Sequence, residues 1–211
     1  GICLMWMLYT LLCLVLFASV LYVLGNYTFW LPLRSTKLPR IVMLHQVTPY
    51  ADASGMNMPP AKFVQLLQYL VKKKAKFCFV SELDQYQDQS NVFALSFDDG
   101  FLDNYQYAYP LLKKYKAKAT IYLATQIKGI EKLSHEQIQE MANSGVIEFG
   151  AHTQHHVNLL KLTDEEAFAE MQASKQDVEE LVGKCPSFAY PFGRFNKKHQ
   201  QMAKELGFKN A

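Results

Sequence analysis

Along most of the chain, segments with the hydrophobic pattern of strands alternate with segments that have the hydrophobic period of helices. Six short apolar runs have the length of buried strands, at residues 41–44, 77–80, 92–97, 119–124, 146–149 and 187–190. Five longer segments have helical features, at residues 60–73, 103–115, 134–143, 163–183 and 196–206. This alternation predicts an α/β domain with a mostly parallel sheet.

Capping residues mark several of the predicted helix ends. Ser134 and Thr163 each stand three residues before Gln or Glu, which is the capping-box pattern of a helix start. Pro110 marks a start or a kink in the second helical segment. Gly207 closes the last helix, and Phe208 has the character of a first strand residue. We therefore expect a domain that is cut short at its C-terminal end.

The first part of the chain is apolar throughout. Residues 1–33 contain no charged side chain, so all 22 Lys and Arg and all 19 Asp and Glu residues follow them. As a helix, residues 2–24 would span roughly 35 Å at about 1.5 Å per residue, enough to cross a bilayer. A cleaved signal peptide is the alternative, although the run is long for one and lacks a small-residue cleavage site. The expected organisation is an anchor or signal-anchor (1–25), a linker (26–39) and a catalytic domain (40–211).

The composition of the chain argues against several classes of function. The formal net charge is +3, and the densest basic run, at residues 72–74, has the character of a solvated helix end. Nucleic-acid binding therefore has little support. The four cysteines are scattered without a CxxC pair, so neither a zinc knuckle nor a disulfide framework is indicated.

Polar or turn residues follow four of the predicted strands. They are His45, Asp98 with Asp99, the histidine cluster at residues 152–156, and the Pro-Phe-Gly turn at residues 191–193. In parallel α/β folds, functional sites form where the carboxyl ends of the strands meet. We therefore expect these groups to lie close together.

The paired carboxylates and the histidines have the residue types of a metal centre. A carboxylate with two imidazoles, such as Asp99 with His152 and His156, leaves metal positions open for water and substrate. His155 is the alternative to His156 as the second imidazole ligand, because its position in the sequence would also allow it. The second carboxylate, Asp98, could serve as a base. An ordinary turn at Asp98–Gly100 and a surface histidine cluster are the alternatives, so the interpretation depends on both motifs together. Together they suggest a metal-assisted hydrolase.

Ala189-Tyr190-Pro191-Phe192-Gly193 alone would be a simple turn, but it follows another predicted strand, where a backbone N–H could face a developing oxyanion. With Ser96–Gly100 and His152–His156 it closely resembles the three ordered motifs of the polysaccharide deacetylase family, also called the NodB homology domain or carbohydrate esterase family 4. The resemblance runs from about residue 40 to residue 211. It is strongest to the branch that N-deacetylates exopolysaccharides such as poly-N-acetylglucosamine.

The resemblance implies a distorted, incomplete (β/α) barrel and removal of N-acetyl groups from a polysaccharide. Asp98 would be the general base that takes a proton from metal-bound water as it attacks the acetamide carbonyl. Asp99, His152 and His156 would hold one divalent metal ion, zinc first, with cobalt, nickel or iron as alternatives. The backbone N–H of Phe192 would help to hold the oxyanion. Further residues that could line the site are His45, His155, Tyr190, Pro191, Gly193 and Arg194.

Two departures from the family pattern keep other functions open. Many members have Arg where this chain has Ala189, and Arg194 cannot be assumed to replace it. The family's Leu-x-His, which supplies the general acid, has no counterpart before residue 211. The alternatives are an O-acetyl polysaccharide esterase and a non-catalytic glycan-binding or scaffold protein. An extracellular or periplasmic domain anchored in the membrane by residues 1–25 fits a polysaccharide substrate.

Overall fold

The structure, a computed structural model, describes residues 2–26, 38–50 and 55–211. The chain divides into two compact units, Gly1–Thr36 and Lys37–Ala211. The predicted linker at residues 26–39 falls almost wholly outside the described residues, so its boundaries stay a prediction.

The described part of the first unit is one helix, α1 (Ile2–Asn26). Its segment Met5–Tyr22 has a mean hydropathy of 2.1, and its apolar side chains are exposed. A helix of this length and composition can cross a membrane, a property that membrane anchors share with signal sequences.

The second unit alternates strands and helices. Its strands are β1 (Arg40–Leu44), β2 (Lys76–Phe77), β3 (Val92–Phe97), β4 (Ala119–Leu123) and β5 (Ile147–Ala151). Its α-helices are α2 (Pro60–Lys72), α3 (Tyr109–Lys114), α4 (His135–Asn143), α5 (Asp164–Val182) and α6 (Lys197–Glu205). Shorter helical segments lie at Val80–Tyr86, Asn104–Ala108, Leu159–Lys161 and Pro191–Gly193.

All pairs of named strands are parallel, and their order is β1-β3-β4-β5, with β2 paired to the start of β3. Single parallel bridges extend this order beyond β5, from Ala151 to Phe188 and from Ser187 to Asn210. After the step from β1 to β3, neighbours in space are therefore neighbours in the chain, as in a (β/α) barrel that has not closed. The predicted fold class is confirmed.

Three elements differ from their predictions in length or type. Of the expected strand at 77–80, only Phe77 lies in the observed strand β2, because Val80 turns away and its N–H donates to the Thr120 hydroxyl at 3.0 Å. The expected strand at 187–190 is reduced to isolated bridges. The helix expected from residue 103 contains a π-helical turn, Asn104–Ala108, before α3. The remaining strand and helix bounds lie within about two residues of the predicted ones, the usual uncertainty of element ends.

The helices cover the sheet with the apolar faces that their periodicity indicates. α2 buries Phe63, Leu67 and Leu70, which are spaced at three and four residues. The predicted capping box of α5 is present, since the Thr163 hydroxyl accepts from Glu166 N–H at 3.2 Å. Gly183 ends α5 in the left-handed conformation, with φ of 82°.

Two glycines are required by close approaches beside the carboxyl ends of the strands. A Cβ on Gly150 of β5 would lie 2.6 Å from the Tyr122 ring and 2.7 Å from the Ser187 carbonyl oxygen. Gly100 has φ of 80°, and a Cβ there would meet the Leu123 side chain at 2.7 Å. A side chain at Gly150 would displace neighbouring backbone, whereas at Gly100 the end of the Leu123 side chain could shift and the positive φ is what chiefly disfavours other residues.

Candidate metal centre

The parallel sheet brings the two polar motifs together at one end. Asp98 and Asp99 follow β3, and His152 follows β5. Their backbones continue the sheet hydrogen bonds, because Asp98 N–H donates to Leu44 O and His152 N–H donates to Leu123 O, each at 3.0 Å. The side chains are therefore placed by the rigid sheet, although they lie just beyond its strands.

One oxygen of Asp99 faces two imidazole nitrogens. Asp99 Oδ1 lies 3.4 Å from His152 Nε2 and 3.2 Å from His156 Nε2. The ligand atoms of the three residues all lie within 4.8 Å of one another. Tetrahedral zinc with bonds of roughly 2.05 Å has ligand–ligand edges of about 3.3 Å. The spacing therefore fits a small divalent cation.

The polar surroundings of this cluster also fit a cation. Asp99 Oδ1 is buried and has no hydrogen-bond partner among the described residues. His152 Nδ1 donates to Ala189 O at 2.8 Å, which leaves a lone pair on Nε2 facing Asp99. Burial lowers the pKa of His152 from 6.5 to about 3, which keeps the imidazole neutral. A buried carboxylate acceptor with two imidazoles has the donor set of a zinc site.

Asp98 lies beside the cluster with only 8% of its surface exposed. Burial raises its pKa from 3.8 to about 7, and the neighbouring Asp99 carboxylate adds to this shift. Burial also raises the pKa of Asp99, partly offset by the imidazoles of His156 and His45. Two ionised carboxylates in this position repel each other, so a bound cation would favour their charged forms.

His45 lies beside Asp98, with its Nε2 3.9 Å from Asp98 Oδ2. Two residues of the segment after β3 hold this part of the backbone, since the Asn104 amide donates to His45 O at 2.9 Å and Asp103 Oδ1 accepts from Val47 N–H at 2.8 Å. Burial lowers the pKa of His45. Sequence reasoning named His45 as a site-lining residue but gave no signal for Asp103 and Asn104 as its supports.

His155, the sequence rival of His156, is turned away from the cluster. Its Nδ1 donates to Glu170 of α5 at 2.6 Å, and its own N–H also donates to Glu170, at 3.1 Å. The same carboxylate accepts from Gln154 N–H at 2.9 Å. Of the two histidines, the structure therefore brings only His156 to Asp99.

Glu170 and Asp177, which lie two turns apart on α5, hold the loop at residues 152–156 through hydrogen bonds. Asp177 accepts from the Gln154 amide at 2.9 Å and from the Thr125 hydroxyl. The loop needs this support, because Thr153 and His156 have φ of 62° and 54°. Sequence reasoning missed both carboxylates, since acidic residues are ordinary on the exposed face of a helix.

The third motif lies against the cluster through Phe192. Its ring is 61% exposed and packs on His156 with centroids 4.7 Å apart. Its φ is 59°, and its backbone N–H finds no acceptor among the described residues. Gly193 N–H closes the turn onto Tyr190 O at 2.9 Å, with Pro191 buried between them.

The two positions that depart from the family pattern have different surroundings. Ala189 contributes its backbone, with the carbonyl on His152 and the N–H on Ala151 O at 2.9 Å. Arg194 is exposed and makes no ion pair within the described part of the chain. It therefore does not replace the missing arginine by a contact to Asp98.

A cavity of about 880 Å³ opens in front of the site. Its polar lining includes His45, Asp98 and His156. Its apolar lining includes Ile41 and Met43 of β1, which are 55% and 63% exposed. The centre is therefore open to a ligand that contacts both polar and apolar groups.

Comparison with known proteins agrees with this geometry. The sequence profile described as polysaccharide deacetylase matches residues 85–211. The chain is 30% identical over 180 residues to a poly-beta-1,6-N-acetyl-D-glucosamine N-deacetylase of Staphylococcus aureus, covering 75% of this chain and 61% of that protein. The chain spans 61–63% of the length of the curated relatives that it matches first.

Two solved structures share the architecture. IcaB from Ammonifex degensii superposes with a TM-score of 0.75 at 25% identity, covering 82% of each chain. The Streptococcus pyogenes deacetylase PplD, solved in complex with acetate, gives a TM-score of 0.72 at 30% identity and covers 82% of this chain and 81% of that one. With the profile match over more than half of its residues, the chain belongs to the polysaccharide deacetylase family.

Proposed function

We propose that this protein is a metal-dependent hydrolase that removes N-acetyl groups from a polysaccharide of N-acetylglucosamine. The observation that carries the proposal is the unpartnered Asp99 Oδ1 between two imidazole nitrogens, directly beside the buried Asp98 carboxyl. The substrate class follows from the named activity of the Staphylococcus aureus relative. The open cavity is consistent with a polymer that enters from solvent.

Asp99, His152 and His156 would hold the metal ion, and zinc agrees best with their ligand types and spacing. A bound divalent cation would polarise the acetamide carbonyl and lower the pKa of a coordinated water. The Ala189 carbonyl takes no part in the reaction itself, but it fixes the tautomer of His152 so that Nε2 faces the metal position. Cobalt, nickel and iron remain alternatives for the same donor set.

Asp98 is the base in this proposal. Its carboxyl lies next to the metal ligands but is not one of the clustered donors, so it is free to take a proton from the attacking water. A bound cation beside Asp98 would favour its ionised form, in which it can accept the proton. The free Phe192 N–H would donate to the developing oxyanion.

The leaving amine also needs a proton, and His45 is the described group best located to supply it. Its Nε2 lies 3.9 Å from Asp98 Oδ2, and both residues line the cavity, so a substrate in the cavity could contact both. We propose that His45 donates this proton. A His45→Gln variant would bind metal normally and lose turnover.

The test measures acetate released from β-1,6-linked N-acetylglucosamine oligomers and, separately, from an O-acetylated polysaccharide. The proposal predicts that the protein hydrolyses the amide and that Asp98→Asn abolishes turnover while retaining its metal. Release from the ester substrate alone would assign the protein to the esterases. No release from either substrate by the metal-loaded protein would contradict catalysis and favour a glycan-binding role.

A polysaccharide substrate also implies a location. We propose that α1 anchors the protein in the membrane and that residues 40–211 lie outside the cytoplasm. Protease added to intact cells should digest these residues and leave a cytoplasmic marker intact. Digestion only after permeabilisation of the cytoplasmic membrane would contradict this location.

A further inference from the structure

The fold brings two lysine-rich turns to the end of the sheet opposite the metal centre. Residues 72–76 are Lys-Lys-Lys-Ala-Lys and lead into β2, whereas residues 114–118 are Lys-Tyr-Lys-Ala-Lys and lead into β4. Both turns therefore lie at the amino-terminal ends of parallel strands. The six residues of β3 separate the two ends by about 20 Å, at roughly 3.3 Å per residue.

The two turns have the same backbone structure. The amides of Ala75 and Ala117 each donate back into the preceding helix at 2.9 Å. Lys74 and Lys116 occupy the same position in their turns, with φ of 55° and 52°. Glycine or asparagine is the usual residue in this conformation at a helix end, because a Cβ is strained there. Lysine therefore occupies both positions at a conformational cost.

The turns are also neighbours in space. The Gln68 amide of α2 donates to the Tyr115 hydroxyl in the second turn at 3.2 Å. The strands that follow the turns, β2 and β4, both pair with β3. We call the combined surface the lysine face, and its members are Lys72, Lys73, Lys74, Lys76, Lys113, Lys114, Lys116 and Lys118.

The charge of the lysine face is almost uncompensated. Residues 56–81 and 104–130 contain ten lysines and no Asp or Glu. Only Lys118 of the face forms an ion pair in the described part of the chain, with Glu82 at 3.5 Å. Aromatic rings support other members, such as Tyr109 under Lys113 at 4.1 Å. Seven ammonium groups are left without an acidic partner among the described residues.

We propose that the lysine face docks the domain on the anionic phospholipid headgroups of a membrane. The chain enters the domain at Arg40, the first residue of β1, which is at the same end of the sheet. Residues 27–39 connect it to α1, a helix long enough to span a bilayer, and they reach at most about 45 Å when extended. Clustered lysines beside a membrane anchor are attracted to anionic lipid. The carboxyl ends of the strands, with the metal centre, would then face away from the lipid.

The full chain would be reconstituted in vesicles of phosphatidylcholine, alone or mixed with phosphatidylglycerol. An amine-acetylating reagent would label accessible lysines, and mass spectrometry would measure the extent at each one. The lysine face should label several-fold more slowly on the anionic vesicles, and high salt should remove this difference. Lys161 and Lys197, exposed near the carboxyl ends of the strands, are internal controls that should label equally on both vesicles.

A variant with Gln at positions 72, 74, 114 and 116 tests the charges directly. Protection of the remaining lysines of the face should be lost, whereas Lys161→Gln/Lys197→Gln should retain it. Circular dichroism would check the fold, and acetate release from a short soluble oligomer should stay unchanged, so failure of the proposed activity remains distinguishable. Equal labelling on both vesicles would overturn the proposal. Protection by soluble polyphosphate but not by anionic vesicles would also overturn it, in favour of an anionic polymer.

Discussion

The buried Asp98 carboxyl should lower the stability of the metal-free domain at neutral pH, and replacing it with Asn should restore that stability. Asp98 is only 8% exposed, and burial with the adjacent Asp99 raises its pKa from 3.8 to about 7. A group with a raised pKa in the folded state is most favourable below its unfolded pKa, and its contribution is lost as the pH rises through the folded pKa. The window is therefore about pH 4 to pH 7.

The size of the effect follows from the shift. About three pKa units at roughly 1.4 kcal/mol each give on the order of 4 kcal/mol between the two ends of this window. Asn keeps the size and polarity of the neutral carboxyl but cannot ionise. Metal-free Asp98→Asn should therefore match the parent near pH 4 and exceed its free energy of unfolding by roughly 3–4 kcal/mol near pH 8.

The assay is urea unfolding of chelator-treated protein in nonionic detergent, followed by circular dichroism across this pH range. Asp84→Asn is the matched control for the loss of a carboxylate, because Asp84 is exposed. Adding zinc should narrow the gap between parent and Asp98→Asn, since a nearby cation favours the ionised carboxylate. Equal stability of the two metal-free proteins at pH 8 would refute the reasoning.

Three further predictions follow from the site and its supports. Gly150→Ala should lower stability by about 1–3 kcal/mol, measured by thermal unfolding, because its Cβ would overlap the Tyr122 ring at 2.6 Å; an unchanged midpoint would contradict the packing. Glu170→Ala should weaken zinc binding by roughly 10–100-fold in a competition titration, because Glu170 holds the histidine-bearing loop. Glu165→Ala on the same helix should leave the zinc affinity unchanged. Equal zinc affinities of the two variants would show that Glu170 does not support the site. His45→Gln should reduce kcat by about 100-fold or more with little change in KM, and unimpaired turnover would exclude His45 as the acid.

Local patterns predicted much of the fold because local physics determines those parts of it. The strand predicted at residues 92–97 matches β3, since an apolar run bounded by polar residues has few other structures open to it. The capping boxes at Ser134 and Thr163 start α4 and α5 as expected. These features need only neighbouring residues, so they are visible in one sequence.

The weaker predictions depended on contacts between distant residues. The run at 77–80 has strand composition, but Val80 bonds to the Thr120 hydroxyl and leaves the sheet. The run at 187–190 is apolar, yet its backbone also serves the site, with Ala189 O bonded to His152. Propensity alone cannot anticipate either competition.

In the candidate site, too, some residues could be predicted from local sequence and others depended on contacts between distant residues. Asp98, Asp99 and His152 could be singled out because each follows a strand, and parallel strands share one carboxyl edge. The choice between His155 and His156 could not be made from spacing, because it depends on Glu170, which draws His155 onto α5. The lysine face was also missed, since neither turn is unusual by itself and only the fold puts them together.

The most direct test of a metal-dependent deacetylase is the rate of acetate release as zinc is added back to chelated protein. With N-acetylglucosamine oligomers as substrate, the rate should rise from near zero to a plateau at one equivalent of zinc. His152→Ala should show no such plateau. Acetate release that persists in the chelated protein, or that is absent at every zinc concentration, would contradict the account.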